Sequence, residues 1–169
     1  PDIMEFVSSK ERDKVLSTFN ISVAATNAFM RAVAHDQPFD LINPRSGKPV
    51  KTIRARELWD RIIDLAHRTG DPGLFFIDTA NLYNPTPQLG NYESTNPCGE
   101  VVLLPGESCN LGSIVLSRFV TQKSVYGDDL EMVKRCIDWE RLRQTVELSV
   151  RFLDNVITMN AYPVELIKQ

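Results

Sequence analysis

The sequence predicts an α/β fold, and three observations support this prediction. Four segments carry apolar residues at the three- and four-residue spacing of an amphipathic helix. Short apolar runs, rich in Val, Ile and Phe, alternate with these segments and are typical of strands. The segment 43–47, Asn-Pro-Arg-Ser-Gly, separates two of those runs and is typical of a hairpin turn. Helices that alternate with short strands favour an α/β architecture.

Start and stop signals define the first three predicted helices. Asp2 with Glu5 is a capping arrangement ahead of the first helix. Thr26 can cap the second helix, and Thr52 can cap the third. Gly70 is expected to end the third helix, because glycine adopts the left-handed conformation that commonly follows a helix.

The fourth predicted helix spans residues 138–159. Its apolar stripe consists of Trp139, Leu142, Val146, Val150, Leu153 and Val156. Trp139 at this helical spacing is expected to pack in the core. The predicted strands are Phe19–Val23, Phe39–Ile42, Val50–Ile53, Leu74–Ile77 and Ser113–Leu116.

Length and composition restrict the class of protein. A chain of 169 residues suits one domain, and 43% hydrophobic with 24% charged residues excludes a disordered chain. A net charge of −3 disfavours nucleic acid as a partner, and the apolar runs are too short for a membrane span. Three cysteines exclude a disulfide framework and favour a reducing cytoplasm. Because the chain starts at Pro1 without Met, we expect a piece of a longer protein, that is, a single partial domain over residues 1–169.

The most informative feature is an almost uncharged segment, residues 79–117. Its only charged residues are Glu93, Glu100 and Glu107, although it is rich in Pro, Gly and Asn. Exposed loops normally carry charge, and long loops without secondary structure are often functional. The composition therefore favours a functional loop that other protein encloses, over a neutral, proline-stiffened linker.

Two cysteines lie inside this segment, Cys98 and Cys109. Pro97 favours an extended Asn96, and in an extended segment side chains of period two point the same way. Asn96, Cys98 and Glu100 would then share one side. An amide, a thiol and a carboxylate can together bind a hydroxyl group, react through sulfur and accept a proton.

Other interpretations of these cysteines remain open. A zinc site is disfavoured because the two cysteines are eleven residues apart and no Cys-x-x-Cys is present. A Cys–His nucleophile is disfavoured because His35 and His67 lie elsewhere, on predicted helices. A structural disulfide is unexpected in a reducing compartment. On the residues alone, two inert buried thiols are the simplest interpretation.

Asn-Pro-Cys-Gly-Glu over residues 96–100, with Cys-Asn-Leu-Gly-Ser-Ile starting at Cys109, resembles the active-site finger loop of ribonucleotide reductase large (catalytic) subunits. The sequence of this motif is most similar to that of the adenosylcobalamin-dependent class II enzymes. Flanking sequence agrees: Pro1–Phe6, Phe19–Val23, Gly70–Gly73, Ile137–Glu140 and Arg151–Asn155. The resemblance thus runs along nearly the whole chain.

The resemblance implies a role for each residue of the motif. Cys98 would be the thiyl-radical cysteine that abstracts the 3′ hydrogen of the ribose, and Glu100 would be the base on the 3′ hydroxyl. Asn96 would bind the ribose hydroxyls. Cys109 would be one of two reducing cysteines that supply electrons as the 2′ hydroxyl leaves as water. No role is implied for Cys136.

The resemblance also implies a fold, a cofactor and partners. The fold would be part of a ten-stranded α/β barrel, with the finger loop at about residues 85–112 running through its centre. The cofactor would be adenosylcobalamin. The partners would be a ribonucleotide substrate, nucleotide effectors, a dithiol reductant such as thioredoxin and, as one option, a second copy in a homodimer.

Two alternatives accompany this interpretation. The parent could be a class I large subunit, whose radical comes from a separate metal-containing subunit. The chain could instead be a non-catalytic remnant that acts as a binding or structural domain. We expect the isolated chain to be inactive, because the resemblance places the second half-barrel and the second reducing cysteine outside it.

Overall fold

A computed structural model of the chain describes residues 1–11, 16, 18–121 and 130–163. The elements in chain order are α1 (Ile3–Val7), β1 (Ser22–Ala24), α2 (Asn27–Ala34), β2 (Pro38–Ile42), β3 (Pro49–Arg54), α3 (Ala55–Thr69), β4 (Gly73–Phe75), α4 (Ile77–Leu82), β5 (Ser94–Thr95), β6 (Val102–Leu103), a 3₁₀ helix (Leu116–Phe119), α5 (Leu130–Arg135) and α6 (Trp139–Met159). The chain forms two compact units, residues 1–107 and residues 108–169. The mixture of helices and strands confirms the predicted α/β content.

The strands of the first unit pair two by two. β1 and β4 are parallel, with Ser22 opposite Gly73, whereas β2–β3 and β5–β6 are antiparallel. The strands in the described residues do not close into a barrel, so the expected barrel is not visible as a closed sheet.

The hairpin turn predicted at residues 43–47 is confirmed. The Asn43 N–H donates to the Lys48 carbonyl at 2.9 Å, and the Asn43 side-chain oxygen accepts from the Arg45 and Ser46 N–H groups. Gly47 has φ 66, a left-handed conformation that glycine adopts without a steric cost.

The core of the first unit lies between α2 and α3. The apolar faces of these helices are buried together with residues of α1 and β1: Val7, Val23, Ala25, Phe29, Ala32, Val33, Ala55, Leu58, Ile62 and Leu65. The Phe29 ring meets the Phe39 ring edge-on, with 5.3 Å between their centroids, and so joins α2 to β2. Val23 anchors β1 in this core, and β4 is held by its pairing with β1 beside the candidate site.

The helix signals succeed in part. Thr26 caps α2 as predicted, with its Oγ1 accepting from the Phe29 N–H at 3.1 Å, and Gly70 ends α3 with φ 83. The Asp2 side chain makes no capping hydrogen bond. The prediction that Thr52 caps α3 is wrong, because Thr52 lies in β3 and donates to Asp40 Oδ1 at 2.5 Å.

The second unit is built around α6, which begins after Asp138 as predicted. The Asp138 carboxylate accepts from the Arg141 N–H at 3.0 Å. Val120 and Ile137 form an isolated antiparallel bridge, and the Arg141 guanidinium lies 5.4 Å from the centre of the buried Phe119 ring.

Two predictions for the second unit are wrong. Ser113–Leu116 is not a strand, because Leu116 begins a 3₁₀ helix and the preceding residues pair with no strand in the described chain. The stripe of α6 is not a buried core, since Leu142 and Leu153 are only half-buried and Trp139 is 55% exposed.

None of the helices found in the described ranges combines the length and apolarity that a membrane span needs.

An ion-pair cluster fastens residue 11 to α3. Glu11 Oε1 lies 2.6 Å from Arg68, and Glu11 Oε2 pairs with Arg61. The hydrogen bond from Arg68 is the largest cause that lowers the pKa of Glu11 below its ordinary value of 4.5. Desolvation opposes it as the second-largest cause, and the charge of Arg61, which comes next, again lowers the pKa. The ionised form therefore stabilises the fold above pH 4.5, and this contribution is lost as the pH falls through the lower folded value.

We predict that the difference in urea midpoint between the wild type and Glu11→Gln is greatest at neutral pH and narrows below about pH 4.5. Glu5→Gln, at an exposed glutamate of α1, is the matched control and should give no such pH dependence. A difference that stays constant from pH 7 to pH 3 would contradict the assigned role of the Glu11 carboxylate.

Candidate active site

The predicted site residues Asn96, Cys98 and Glu100 lie in one short loop, residues 96–101, which joins β5 to β6. The expectation of an extended segment is wrong. The chain turns at Pro97 and Cys98, and Gly99 has φ 80. Proline followed two residues later by a left-handed glycine favours a tight turn, so the period-two argument does not apply here.

Asn96 closes this loop and is the only buried polar residue in the described part of the chain, at 5% exposure. Its backbone N–H donates to the Val101 carbonyl at 3.1 Å, and its side-chain Oδ1 accepts from the Val101 N–H at 3.1 Å. Its backbone carbonyl accepts from the Gly99 N–H at 3.0 Å. The Asn96 carbonyl oxygens are thus used within the loop, and the side-chain NH₂ group keeps its capacity to donate.

Cys98 is an exposed free thiol at the tip of this loop. The interpretation of Cys98 as an inert buried thiol is therefore wrong. Its sulfur lies 4.0 Å from the side-chain nitrogen of Asn20, which precedes β1 in the chain. Asn20 belongs to the segment Phe19–Val23, for which the resemblance implies no catalytic role. In sequence, 78 residues separate Asn20 from Cys98. Glu100 is also exposed, two residues beyond Cys98.

A cavity of about 600 Å³ opens beside the loop. Its lining is a mixture of polar and apolar side chains with no cation among the described residues: Thr18, Phe19, Asn20, Ser22, Ala24, Phe75, Glu93, Ser94, Thr95, Asn96 and Pro97. Hydroxyl and amide groups predominate among its polar side chains. Such a lining can hydrogen-bond a neutral polyol.

Two asparagines hold the approach to β5. Asn81 donates to the Ile77 and Tyr92 carbonyls, each at 3.1 Å, and accepts from the Tyr92 N–H at 2.7 Å. Asn84 donates to the Gly90 carbonyl at 2.9 Å. These side-chain amides hydrogen-bond backbone groups of residues 84–92, which belong to no strand. Side-chain amides, rather than ion pairs, therefore hold this part of the neutral segment.

The chain itself does not enclose the neutral segment. Several of its apolar side chains are exposed, most strongly Leu82, Tyr83 and Leu89. Any enclosure must therefore come from residues outside those described.

Cys109, the fourth predicted site residue, belongs to the second unit and is a half-buried free thiol. The next residue, Asn110, donates its side-chain N–H to the Leu153 carbonyl of α6 at 2.8 Å. Gly112 lies against the Leu153 side chain. The segment after Cys109 is thus fixed along α6, and the unpredicted Asn110 is the residue that fixes it. Cys136 is buried in the same unit.

Comparison with known protein families identifies the class to which the chain belongs. A family model described as "Ribonucleotide reductase, barrel domain" matches residues 1–169. The chain belongs to this family of ribonucleotide reductase barrel domains, and the resemblance drawn from the finger-loop motif is confirmed.

Two curated relatives are similar to the chain over all or nearly all of its length. The chain is 52% identical, over its whole length, to the vitamin B12-dependent ribonucleoside-diphosphate reductase of Thermoplasma acidophilum, of which it covers 21%. It is 49% identical, over 96% of its length, to the protein of the same name from Mycobacterium tuberculosis, of which it covers 22%. The chain thus spans about a fifth of the length of these relatives.

We predict that the Val101 amide loses its protection from hydrogen exchange in Asn96→Ala and keeps it in Asn96→Asp. The aspartate retains an acceptor where Asn96 Oδ1 now receives the Val101 N–H, whereas alanine leaves that donor without its partner. Hydrogen exchange resolved at Val101 checks this, with Asn91→Ala, an exposed asparagine of the same unit, as the control. Equal loss of protection in Asn96→Asp and Asn96→Ala would show that the acceptor does not close the loop.

Proposed function

We propose that the chain is part of the catalytic domain of an adenosylcobalamin-dependent ribonucleotide reductase, which converts ribonucleotides to deoxyribonucleotides. One observation carries the proposal. An exposed thiol, Cys98, stands at the tip of a hairpin loop closed by Asn96, beside a cavity whose described lining offers several hydroxyl and amide groups. The names of the relatives support cobalamin over a separate metal-radical subunit.

The proposed chemistry begins at the Cys98 sulfur. As a thiyl radical, Cys98 takes the 3′ hydrogen atom of the ribose, so that an S–H bond forms and a C–H bond breaks. The radical then resides on the sugar carbon. Glu100 accepts the proton of the 3′ hydroxyl as general base, and its exposed carboxylate in the same loop suits this role.

Asn96 binds the ribose through its side-chain NH₂ group. This assignment follows from its hydrogen bonds, because Oδ1 is already engaged by the Val101 N–H. The closed loop also orders the Asn96 backbone before substrate arrives, which lowers the entropic cost of positioning the sugar.

Cys109 with a second reducing cysteine supplies the two electrons of the reaction. As the 2′ hydroxyl leaves as water, the two thiols become a disulfide: one of their hydrogens leaves in the water and the other is placed on the 2′ carbon. The Cys98 S–H then returns its hydrogen atom to the 3′ carbon, which restores the thiyl radical. A dithiol such as thioredoxin then reduces the disulfide. Cys109 is free in the structure, as this role requires.

Adenosylcobalamin, when bound, supplies the homolytic bond cleavage that starts radical chemistry. The residue of this chain that would face it is Cys98, and the exposed free thiol fits that requirement because a reagent can approach the sulfur directly. Since radicals must be kept from water, the neutral segment suits the interior of a barrel. We therefore propose that residues 85–112 form a finger loop that runs through a ten-stranded barrel, of which residues 1–169 are one part.

Ribonucleotide reduction by the full-length protein, with a dithiol and with or without adenosylcobalamin, tests the proposal. We expect cobalamin-dependent activity that falls to background in Cys98→Ser. Glu100→Gln should lose about a hundredfold in kcat, which is typical of a lost general base. Asn96→Asp should lose about tenfold, because it keeps the loop-closing acceptor and lacks the donor for the sugar. The isolated 169-residue chain should show no activity.

Cys136→Ala is the matched control and should retain activity, because this thiol is buried and lies outside the finger-loop motif. Cobalamin-independent activity that needs an added metal-containing subunit would replace the cofactor assignment with the class I alternative. Full activity in Cys98→Ser would overturn the radical role of Cys98.

A further inference from the structure

The contact between Asn20 and Cys98 joins two parts of the first unit that are distant in sequence. Asn20 precedes β1, and Cys98 lies on the β5–β6 loop. The Asn20 Nδ2 atom is 4.0 Å from the Cys98 sulfur, within the longer reach of hydrogen bonds to sulfur. Asn20 also lines the cavity beside Asn96 and Pro97. It is therefore the residue that touches both the thiol and the cavity.

The backbone on both sides of Asn20 is fixed. The Phe19 carbonyl accepts a hydrogen bond from the Lys10 ammonium, which also pairs with Asp71 at 2.6 Å. The Ile21 carbonyl accepts from the Gly73 N–H at 2.9 Å, at the start of the β1–β4 pairing. The side chains of Lys10 and Asp71 are only 12% and 21% exposed, so this anchor is partly shielded from water. Asn20 is exposed, but its main chain is held in place.

We propose that Asn20 is a positioning residue for Cys98. Its amide N–H donates to the sulfur, which then directs its own S–H away from Asn20, since one sulfur lone pair is occupied by the amide. The contact also limits the rotation of the Cys98 side chain at the tip of the loop. This inference deepens the proposed function, because a hydrogen atom can be exchanged efficiently only if the sulfur is held in one orientation.

Alkylation of Cys98 by iodoacetamide in the 169-residue chain tests the contact directly. Iodoacetamide reacts directly with the sulfur, so the rate of alkylation reports how the Cys98 side chain is held. Asn20→Leu, which has a similar volume and no donor, should slow alkylation of Cys98 at pH 7.5 about fivefold, as expected for one lost hydrogen bond. Asn20→Gln, which keeps an amide, should restore the rate to within about twofold of the wild type.

The sign of the effect separates positioning from a structural role. If Asn20 only held the loop in place, Asn20→Leu would loosen the loop, and Cys98 would react at an equal or faster rate. That result would overturn the proposal. Mass spectrometry of the same samples follows Cys109 as an internal reference, whose rate should not change. Asn91→Leu, at an exposed asparagine of the same unit, is the matched variant and should leave Cys98 unaffected.

The alkylation and activity experiments distinguish this inference from the proposed function. An unchanged alkylation rate in Asn20→Leu, with activity lost in Cys98→Ser, would remove only the role of Asn20. A slowed alkylation rate, with full activity in Cys98→Ser, would remove the catalytic role of Cys98 and leave the contact established. If both hold, Asn20→Leu in the full-length reductase should lower kcat about fivefold and leave KM unchanged.

Discussion

The pairing of Asn96 with Val101 is the constraint on which the candidate site depends. Two hydrogen bonds join these residues, one between backbone groups and one to the Asn96 side chain. The side-chain oxygen of the buried Asn96 accepts the hydrogen bond from the Val101 N–H. The loop therefore closes although β5 and β6 have only two residues each. Cys98 and Glu100 are held between the two ends of that closure and are both exposed. Asn96, for which the resemblance implies a role in substrate binding, is thus also the residue that shapes the loop.

The rest of the first unit supports this loop from two directions. The core between α2 and α3 fixes β1, and the Lys10–Asp71 pair fixes the chain just before β1, where Asn20 lies. From the other direction, the Asn81 side chain holds Tyr92 through two hydrogen bonds, just before β5 begins. The positions of the reactive groups therefore follow from polar contacts that are distant in sequence, supported by an ordinary apolar core.

Sequence patterns predicted what is determined locally. The Thr26 cap, the turn at residues 43–47 and the span of α6 depend on residues a few positions apart, and each is confirmed. The four site residues came from a motif, and the structure brings Asn96, Cys98 and Glu100 into one loop. The extended geometry was wrong, because a left-handed Gly99 reverses the chain. The contact between Asn20 and Cys98 could not be predicted, because the fold brings together two positions that are 78 residues apart in sequence.

The electrostatics of the loop also favour one kind of cysteine chemistry over another. Cysteines that act as thiolate nucleophiles usually lie beside Lys, Arg or His⁺, or at the N-terminus of a helix. No Lys, Arg or His occurs in residues 79–117, and the described residues that line the adjacent cavity include no cation. The partner found for the sulfur is a neutral amide, and the one charge in the loop is the carboxylate of Glu100. A thiol that exchanges a hydrogen atom does not need a cation beside it. The uncharged surroundings are therefore compatible with the radical role proposed for Cys98.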